Sequence, residues 1–407
     1  MKQNQIWGSG LSPFFQPEDF LPSHPSVKED LETEILVIGA GLSGLLCAYE
    51  LLKEGRSVTV VTANTVGDGA CRFSSGIISA DGGPDLLRLK ELIGQENAVG
   101  WYRFALAAVE QMEKIVADTG SKCDFKRRDQ FYYTASRREG EILREEYYAR
   151  HHLGLDCRWM SEEECREEFS FPCVGGMMMK DGGGEFNPVK FCRDLADWIT
   201  LHGGEIYEGS RVDTIEACAD GFVCRLSTKK ITAKKVIDAR GGEVLQKRPQ
   251  LGQRVTVFSV VTEPISVFRG WKDCCLIKNH DELSYLRTTP DGRILYSGQV
   301  TSALTPEGRF GRWDANAVCR VKYKNLTAEL EEMFFGIPRI KQEYGFTQGL
   351  VLPKKGLPYV GQDLQWQGLY YLYAFGESGM AGALLGSSWI RRMICDGRGN
   401  APKYLSL

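Results

Sequence analysis

Six residues near the start of the chain, Gly39-Ala40-Gly41-Leu42-Ser43-Gly44, have the spacing G-x-G-x-x-G. Each glycine has a chemical reason. The first permits a tight turn, the second lets backbone approach a pyrophosphate, and the third lets a helix pack closely on a strand. The amides at the start of that helix then hold phosphate oxygens. Such spacing alone is a weak signal, because glycine-rich turns are common; its flanks make it strong. Residues 34–38 are a short apolar run that predicts a buried strand. Behind the glycines, Leu45, Leu46, Ala48, Leu51 and Leu52 recur at helical spacing. Gly55 stops the helix and residues 57–61 form a second β-branched run, so the segment reads as a βαβ unit with parallel strands.

One usual partner of this motif is missing. The second strand normally ends in Asp or Glu, which accepts the ribose hydroxyls. Here Val60-Val61 is followed by Thr62-Ala63-Asn64, and a neutral bond from Thr62 or Asn64 is the available substitute. Looser adenosine binding and a changed ribose contact both remain open.

Other chemistries find little support. There is no C-x-x-C pair, and His151 and His152 adjoin in a charged segment where neighbours face different ways, so no metal site is expected. No Ser/His/Asp or Cys/His arrangement for nucleophilic catalysis stands out. Fifty basic against 53 acidic residues give a net charge of −3, which offers no general attraction to nucleic acid or anionic lipid. The chain has no export signal and no run of apolar residues long enough to span a membrane, so a cytoplasmic protein is expected. In that compartment the 13 scattered cysteines read mostly as small core residues.

The 407 residues suffice for two or three domains. Residues 1–32 read as an irregular arm. Helical, charged patterns at 91–122 and 136–169 suggest helices covering a second domain, and Gly182-Gly183-Gly184 reads as a loop before an amphipathic helix at 189–201. Strand-like runs follow at 205–207, 211–217 and 222–227, then at 255–262, 284–288 and 293–299. The expected fold is α/β: a Rossmann-like dinucleotide-binding domain built from 33–95, 181–250 and 345–407, and a discontinuous α+β substrate domain from 96–180 and 251–344.

Several separated blocks carry a resemblance that spans residues 33 to 395. They are Gly67-Asp68-Gly69-Ala70-Cys71-Arg72-Phe73-Ser74-Ser75-Gly76, Gly183-Gly184-Glu185-Phe186-Asn187-Pro188, and Lys235-Val236-Ile237-Asp238-Ala239-Arg240-Gly241-Gly242. Further on come Tyr285-Leu286-Arg287 with Asp291-Gly292-Arg293, then Lys355-Gly356-Leu357-Pro358 and Gly376-Glu377-Ser378-Gly379-Met380. Together they resemble the D-amino acid oxidase-like superfamily of FAD-dependent oxidoreductases, and most its gamma-glutamylputrescine oxidoreductase and glycine or sarcosine oxidase branch. Arg240 stands where that family has threonine, and Lys355 where it has an acid.

The resemblance implies FAD held by Gly39, Gly41, Leu42, Ser43 and Gly44, and by Thr62 and Ala63 at the second strand. It extends the site to Gly69, Ala70, Cys71, Ser74, Ser75 and Gly76, to Val212, Ala239 and Gly241, and to Gly376, Ser378, Gly379 and Met380. It also implies oxidation of a C–N bond in a small amine or amino acid by hydride transfer to flavin N5, with hydrolysis of the imine. Electrons then pass to oxygen or to an acceptor partner. A flavoprotein subunit or low-activity binding module of the same fold is the alternative, suggested by the departures at 62, 240 and 355. For catalysis the candidates are Arg287, whose guanidinium suits a carboxylate, Tyr285 on the same strand face, and Glu377, which suits an ammonium. Replacing Thr62 with Glu is expected to tighten FAD binding, read as a lower dissociation constant in a titration of flavin fluorescence, if the ribose is presented as in the family.

Overall fold

The computed structural model describes residues 8–10, 14, 23–81, 83–271, 275–279, 284–302, 317–374, 376–397 and 401–407. Two sheets organise them. The first runs in the order Tyr359–Gln362, Leu369–Tyr373, Lys230–Asp238, Leu31–Ile38, Val58–Val61, Glu205–Tyr207. Its four central pairings from Leu369–Tyr373 to Glu205–Tyr207 are parallel. A parallel strand is covered on both faces, and the alternation along Leu31–Ile38 shows it. Ile35 and Val37 join the large core under the helices, whereas Leu36 and Ile38 join a second cluster with Val212, Phe222 and Ile231. Helices Leu42–Lys53, Pro188–Leu201 and Gly379–Cys395 contribute to the large core. The expected βαβ unit is therefore present.

The second sheet is mainly antiparallel, in the order Gly8–Gly10, Gln342–Pro353, Gly252–Thr262, Ile294–Ser302, Ser284–Thr288, Cys275–Asn279, Lys126–Thr134, Gly175–Glu185, Ile77–Ser79. Its membership differs from the sequence expectation: Gly8–Gly10 comes from the expected arm, and Ile77–Ser79, the end of Gly175–Glu185 and most of Gln342–Pro353 come from stretches expected in the nucleotide domain. Gln342–Pro353 pairs with Gly252–Thr262 along its whole length, so by sheet membership the boundary falls after 353 rather than at 345. Gly182-Gly183-Gly184 is the end of a strand instead of a loop, because glycine admits a close neighbour there: a Cβ on Gly184 would lie 2.8 Å from the Phe125 ring. The helical expectation over 136–169 is broken by a strand, Cys157–Ser161, between helices Arg137–His151 and Glu162–Glu168. The expected strand over 211–217 begins at Thr214, and its hairpin partner spans Gly221–Arg225. Helix Ala317–Met333 was not anticipated. Cys274 of the Cys274-Cys275 pair lies outside the described residues; Cys275 opens a strand. Among the described residues no helix is long and apolar enough to cross a membrane.

Asn187 starts the return to the first sheet. Its side chain accepts from the amides of Val189 and Lys190, and Pro188 occupies the first helical turn, where a missing N–H costs nothing.

A buried ion cluster joins the helical layer to the second sheet. Arg150 is fully buried, with Nε 2.6 Å from Glu146 and Nη2 3.2 Å from Asp85, and its guanidinium lies over the rings of Tyr102 and Tyr132. Glu146 in turn accepts the amides of Leu86 and Leu87, which opens helix Leu86–Ile93 on a negative charge. Burial pushes the Glu146 carboxyl up, but Arg150 and these amides outweigh it and hold the carboxyl below its usual range. Its contribution to stability is thus present above the ordinary carboxylate pKa and lost as pH falls through the depressed value. Glu146→Ala leaves a buried cation without its main partner. It should lower unfolding stability by about 3–5 kcal/mol, read as an earlier midpoint in urea denaturation at neutral pH.

Candidate active site

The three motif glycines have different structural duties. Gly39 has φ +114°, and a Cβ there would meet the Ala239 carbonyl at 2.7 Å. A Cβ on Gly44 would lie 1.8 Å from the Gly39 carbonyl, so the first helix can reach its strand only without a side chain. Gly41 differs: a Cβ there would have no atom within 4 Å. Nothing in the protein requires that glycine, but it faces a cleft, and no side chain caps the helix that begins at Leu42. Open space before uncapped helical amides fits the pyrophosphate of a dinucleotide.

From this turn the cleft runs to the end of the second strand, where Thr62, Ala63, Asn64, Arg211 and Val212 line it. The missing acid is not restored by Glu208, whose buried carboxylate accepts the amides of Ser23, His24 and Val66 and so ties the N-terminal arm to the loop. Glu243 does line this end, with Arg211 3.8 Å away. Arg240, also on the wall, is bidentate on Asp238 at 2.8 and 2.7 Å, and Tyr373 donates to the same carboxylate at 3.0 Å. Burial alone would raise the Asp238 carboxyl, yet Arg240 brings it below its usual range.

In the other direction the walls are Gly69, Ala70, Cys71, Ser74 and Ser75, with Ala239, Gly241, Gly376, Gly379 and Met380 also contributing. Cys71 Sγ is 3.8 Å from Cys192 Sγ. Gly376 has φ +64°, and the loop it begins leads into helix Gly379–Cys395, which no side chain caps. The amides of an uncapped helix start suit the negative charge that reduced flavin carries. Lys355, in place of the family's acid, reaches the Tyr404 carbonyl at 3.4 Å.

The far end is lined by Ile77, Ser79, Asp81, Val257, Tyr285, Ser297, Gln348, Leu350 and Glu377. Of the three expected catalytic residues, Tyr285 and Glu377 lie on this wall. Arg287 does not. It is 1% exposed, its Nη1 reaches the carbonyls of Ser75, Gly76 and Phe186 at 3.1, 2.8 and 3.2 Å, and its Nε donates to the Thr288 carbonyl. Glu185 lies 3.6 Å away and the Phe14 ring 5.4 Å away. Burial lowers its pKa to about 10, with Glu185 opposing, so it stays charged at neutral pH. The guanidinium expected to hold a substrate carboxylate instead joins two backbone segments.

Three expected cofactor residues are also off the wall, for related reasons. Gly44 is taken by the helix-to-strand contact; a Cβ on Gly76 would lie 2.3 Å from the Phe186 carbonyl; and Ser378 is buried, donating to the Gly356 carbonyl at 3.1 Å. The sequence reading missed Ser79 and Asp81, which follow directly on the Gly76 block, and Ser297 and Gln348, which separate strands bring in. An acid before Gly82-Gly83 was the one visible signal. Gly41→Leu should strip the flavin absorbance from the purified protein and leave its melting temperature near that of flavin-free wild type, whereas Gly44→Ala should lower the melting temperature below that of flavin-free wild type.

Residues 34–393 match the family described as FAD dependent oxidoreductase (DAO). Gamma-glutamylputrescine oxidoreductase of Escherichia coli (strain K12) is 22% identical over 388 residues, covering 93% of this chain and 87% of that protein. Glycine oxidase of Geobacillus kaustophilus (strain HTA426) is 22% identical over 347 residues, 83% of this chain and 86% of that one. Among solved structures, glycine oxidase from Geobacillus kaustophilus superposes with a TM-score of 0.76 at 17% identity, over 93% of this chain and 98% of its own. L-amino acid deaminase from Proteus myxofaciens gives 0.77 at 12% identity, over 98% of both. The glycine turn, the cleft and these matches agree, and the chain belongs to the FAD dependent oxidoreductase family, with FAD as its cofactor.

Proposed function

We propose that this enzyme oxidises a C–N bond in a small amine or amino acid. The observation that carries the reading is the single cleft joining the glycine turn at Gly39–Ser43 to an end lined by Ile77, Tyr285, Gln348 and Glu377. Bound FAD supplies the hydride acceptor, N5, so the chain itself needs only to bind, orient and shield the amine. Ile77, Val257 and Leu350 give that end apolar surface that excludes water, while Tyr285 and Gln348 offer neutral hydrogen bonds to orient a polar group. The imine leaves the cleft and is hydrolysed. Gamma-glutamylputrescine oxidoreductase and glycine oxidase, as relatives, support an amine or amino-acid substrate. Oxygen or a separate acceptor completes the turnover.

Two of the three departures that suggested a low-activity module are internally satisfied: Arg240 pairs with Asp238, and Lys355 with the chain's own C-terminal segment. The test is the absorbance spectrum of the purified protein, recorded anaerobically with a panel of amines and amino acids. Flavin bands that bleach with one substrate class support the reading. Flavin that bleaches with no member of the panel defeats it, and a colourless protein that rejects added FAD favours the binding-module alternative. Admitting oxygen to the bleached enzyme separates the acceptors: return of the bands within a turnover time marks an oxidase, slow return a dehydrogenase.

A further inference from the structure

We propose that Cys71 and Cys192 are a redox-active thiol pair, which a peroxide converts to a disulfide when the cleft holds no FAD and which bound FAD protects. Both are free cysteines, and the Cys192 thiol donates to Cys71 Sγ at 3.8 Å. They come from distant segments: Cys71 opens the short helical turn Cys71–Phe73, and Cys192 lies on helix Pro188–Leu201. The loop before Cys71 packs on that helix and is tied to the glycine turn. A Cβ on Gly67 would lie 3.2 Å from Cys192 Cβ, and the Gly67 amide donates to the Ala40 carbonyl at 3.0 Å. The two sulfurs differ in what reaches them. Cys192 is fully buried, whereas Cys71 is 8% exposed and, like Leu42, lines the cleft.

The surroundings make Cys71 the sulfur that reacts first. The Cys192 thiol and the backbone of Leu42 hold its pKa below the usual thiol range, against burial and the Asp68 carboxylate. Leu42 begins the uncapped helix after the glycine turn, and a sulfur at a helix start is favoured as an anion. A thiol of lowered pKa on a cleft wall, with a second thiol in contact, is the arrangement that peroxides oxidise reversibly. The Cys71 thiolate attacks one peroxide oxygen, the O–O bond breaks, and a sulfenic acid and a hydroxide form. The Cys192 sulfur then attacks the Cys71 sulfur: the S–S bond forms, the S–O bond breaks, and the departing hydroxyl takes the Cys192 proton as water. Two thiols have given two electrons to the peroxide, which ends as two waters. The sulfurs stand at 3.8 Å and a bond needs about 2.05 Å, so the side chains must turn towards each other. Bound FAD opposes the first step in two ways. It covers the wall on which Cys71 stands, and a pyrophosphate before the same helix start adds negative charge that favours the neutral thiol.

The test treats the full-length protein with hydrogen peroxide, one portion dialysed free of FAD and one kept saturated with it. No amine is present, so the outcome does not depend on the oxidation reading. Remaining thiols are alkylated at intervals, and the digest is read by mass spectrometry. The FAD-free portion should yield a peptide linking Cys71 to Cys192, cleaved by dithiothreitol, and should do so roughly tenfold or more faster than the loaded portion. Cys192→Ala should instead leave Cys71 as a sulfenic acid that dimedone captures, and Cys71→Ala should leave Cys192 reduced. Absence of the linking peptide from the FAD-free portion, its formation at the same rate in both portions, or oxidation of Cys192 as fast in Cys71→Ala as in wild type would each overturn the proposal. The comparison of the two wild-type portions decides the matter even if neither variant folds.

Discussion

A guanidinium taken out of water must fill its donors or lose more than it returns, and Arg287 meets that constraint with backbone rather than with side-chain acids alone. Its Nη1 reaches carbonyls of Ser75 and Gly76, on the segment that follows the dinucleotide motif, and of Phe186, where the chain turns back towards the first sheet. The arginine stands on a strand of the second sheet. Three stretches far apart in sequence are therefore fixed to one planar group, and the cleft wall at Ser74–Ser75 inherits its position from them. Glu185, next to Phe186, pairs with Arg128 at 2.9 Å and lies 3.6 Å from Arg287, so the cluster keeps a counter-charge within the same junction.

This junction separates the two kinds of electrostatics in the cleft. At the nucleotide end, positive character comes from backbone: uncapped amides at the start of helix Leu42–Lys53, reached through a turn that only glycine permits at positions 39 and 44. The arginines there have acidic neighbours of their own, Asp238 and Glu243. Away from the glycine turn, the wall also includes Asp81 and Glu377, together with Ile77, Val257 and Leu350.

Support for that arrangement comes from behind the wall. The Tyr132 hydroxyl reaches Asp81, Arg150 lies over the Tyr132 ring, and Glu146 and Asp85 flank Arg150. Networks of this kind hold rotamers in place because each member's alternative is an unpaired polar atom in a low dielectric. The helical layer, through Glu146 and the amides of Leu86 and Leu87, is coupled in this way to the position of a residue on the cleft wall.

The sequence alone determined those features that depend on local spacing: the strand at 34–38, the glycine turn and helix behind it, the second strand at 57–61 and the helix at 189–201; the family and its cofactor followed from the resemblance of blocks spread along the chain. These are legible because steric limits on glycine and proline and the period of apolar residues act over a few positions. Tertiary structure decided which side chains face the cleft. Tyr285 and Arg287 have the same strand parity and read as one pair, yet Tyr285 lines the cleft and Arg287 is drawn into carbonyls from residues 75, 76 and 186. Asp81 accepts from the Tyr132 hydroxyl, a partner far from it in the chain. The direction of a long polar side chain is set by where its hydrogen-bond partners lie, and partners brought together from distant segments leave no local pattern to read.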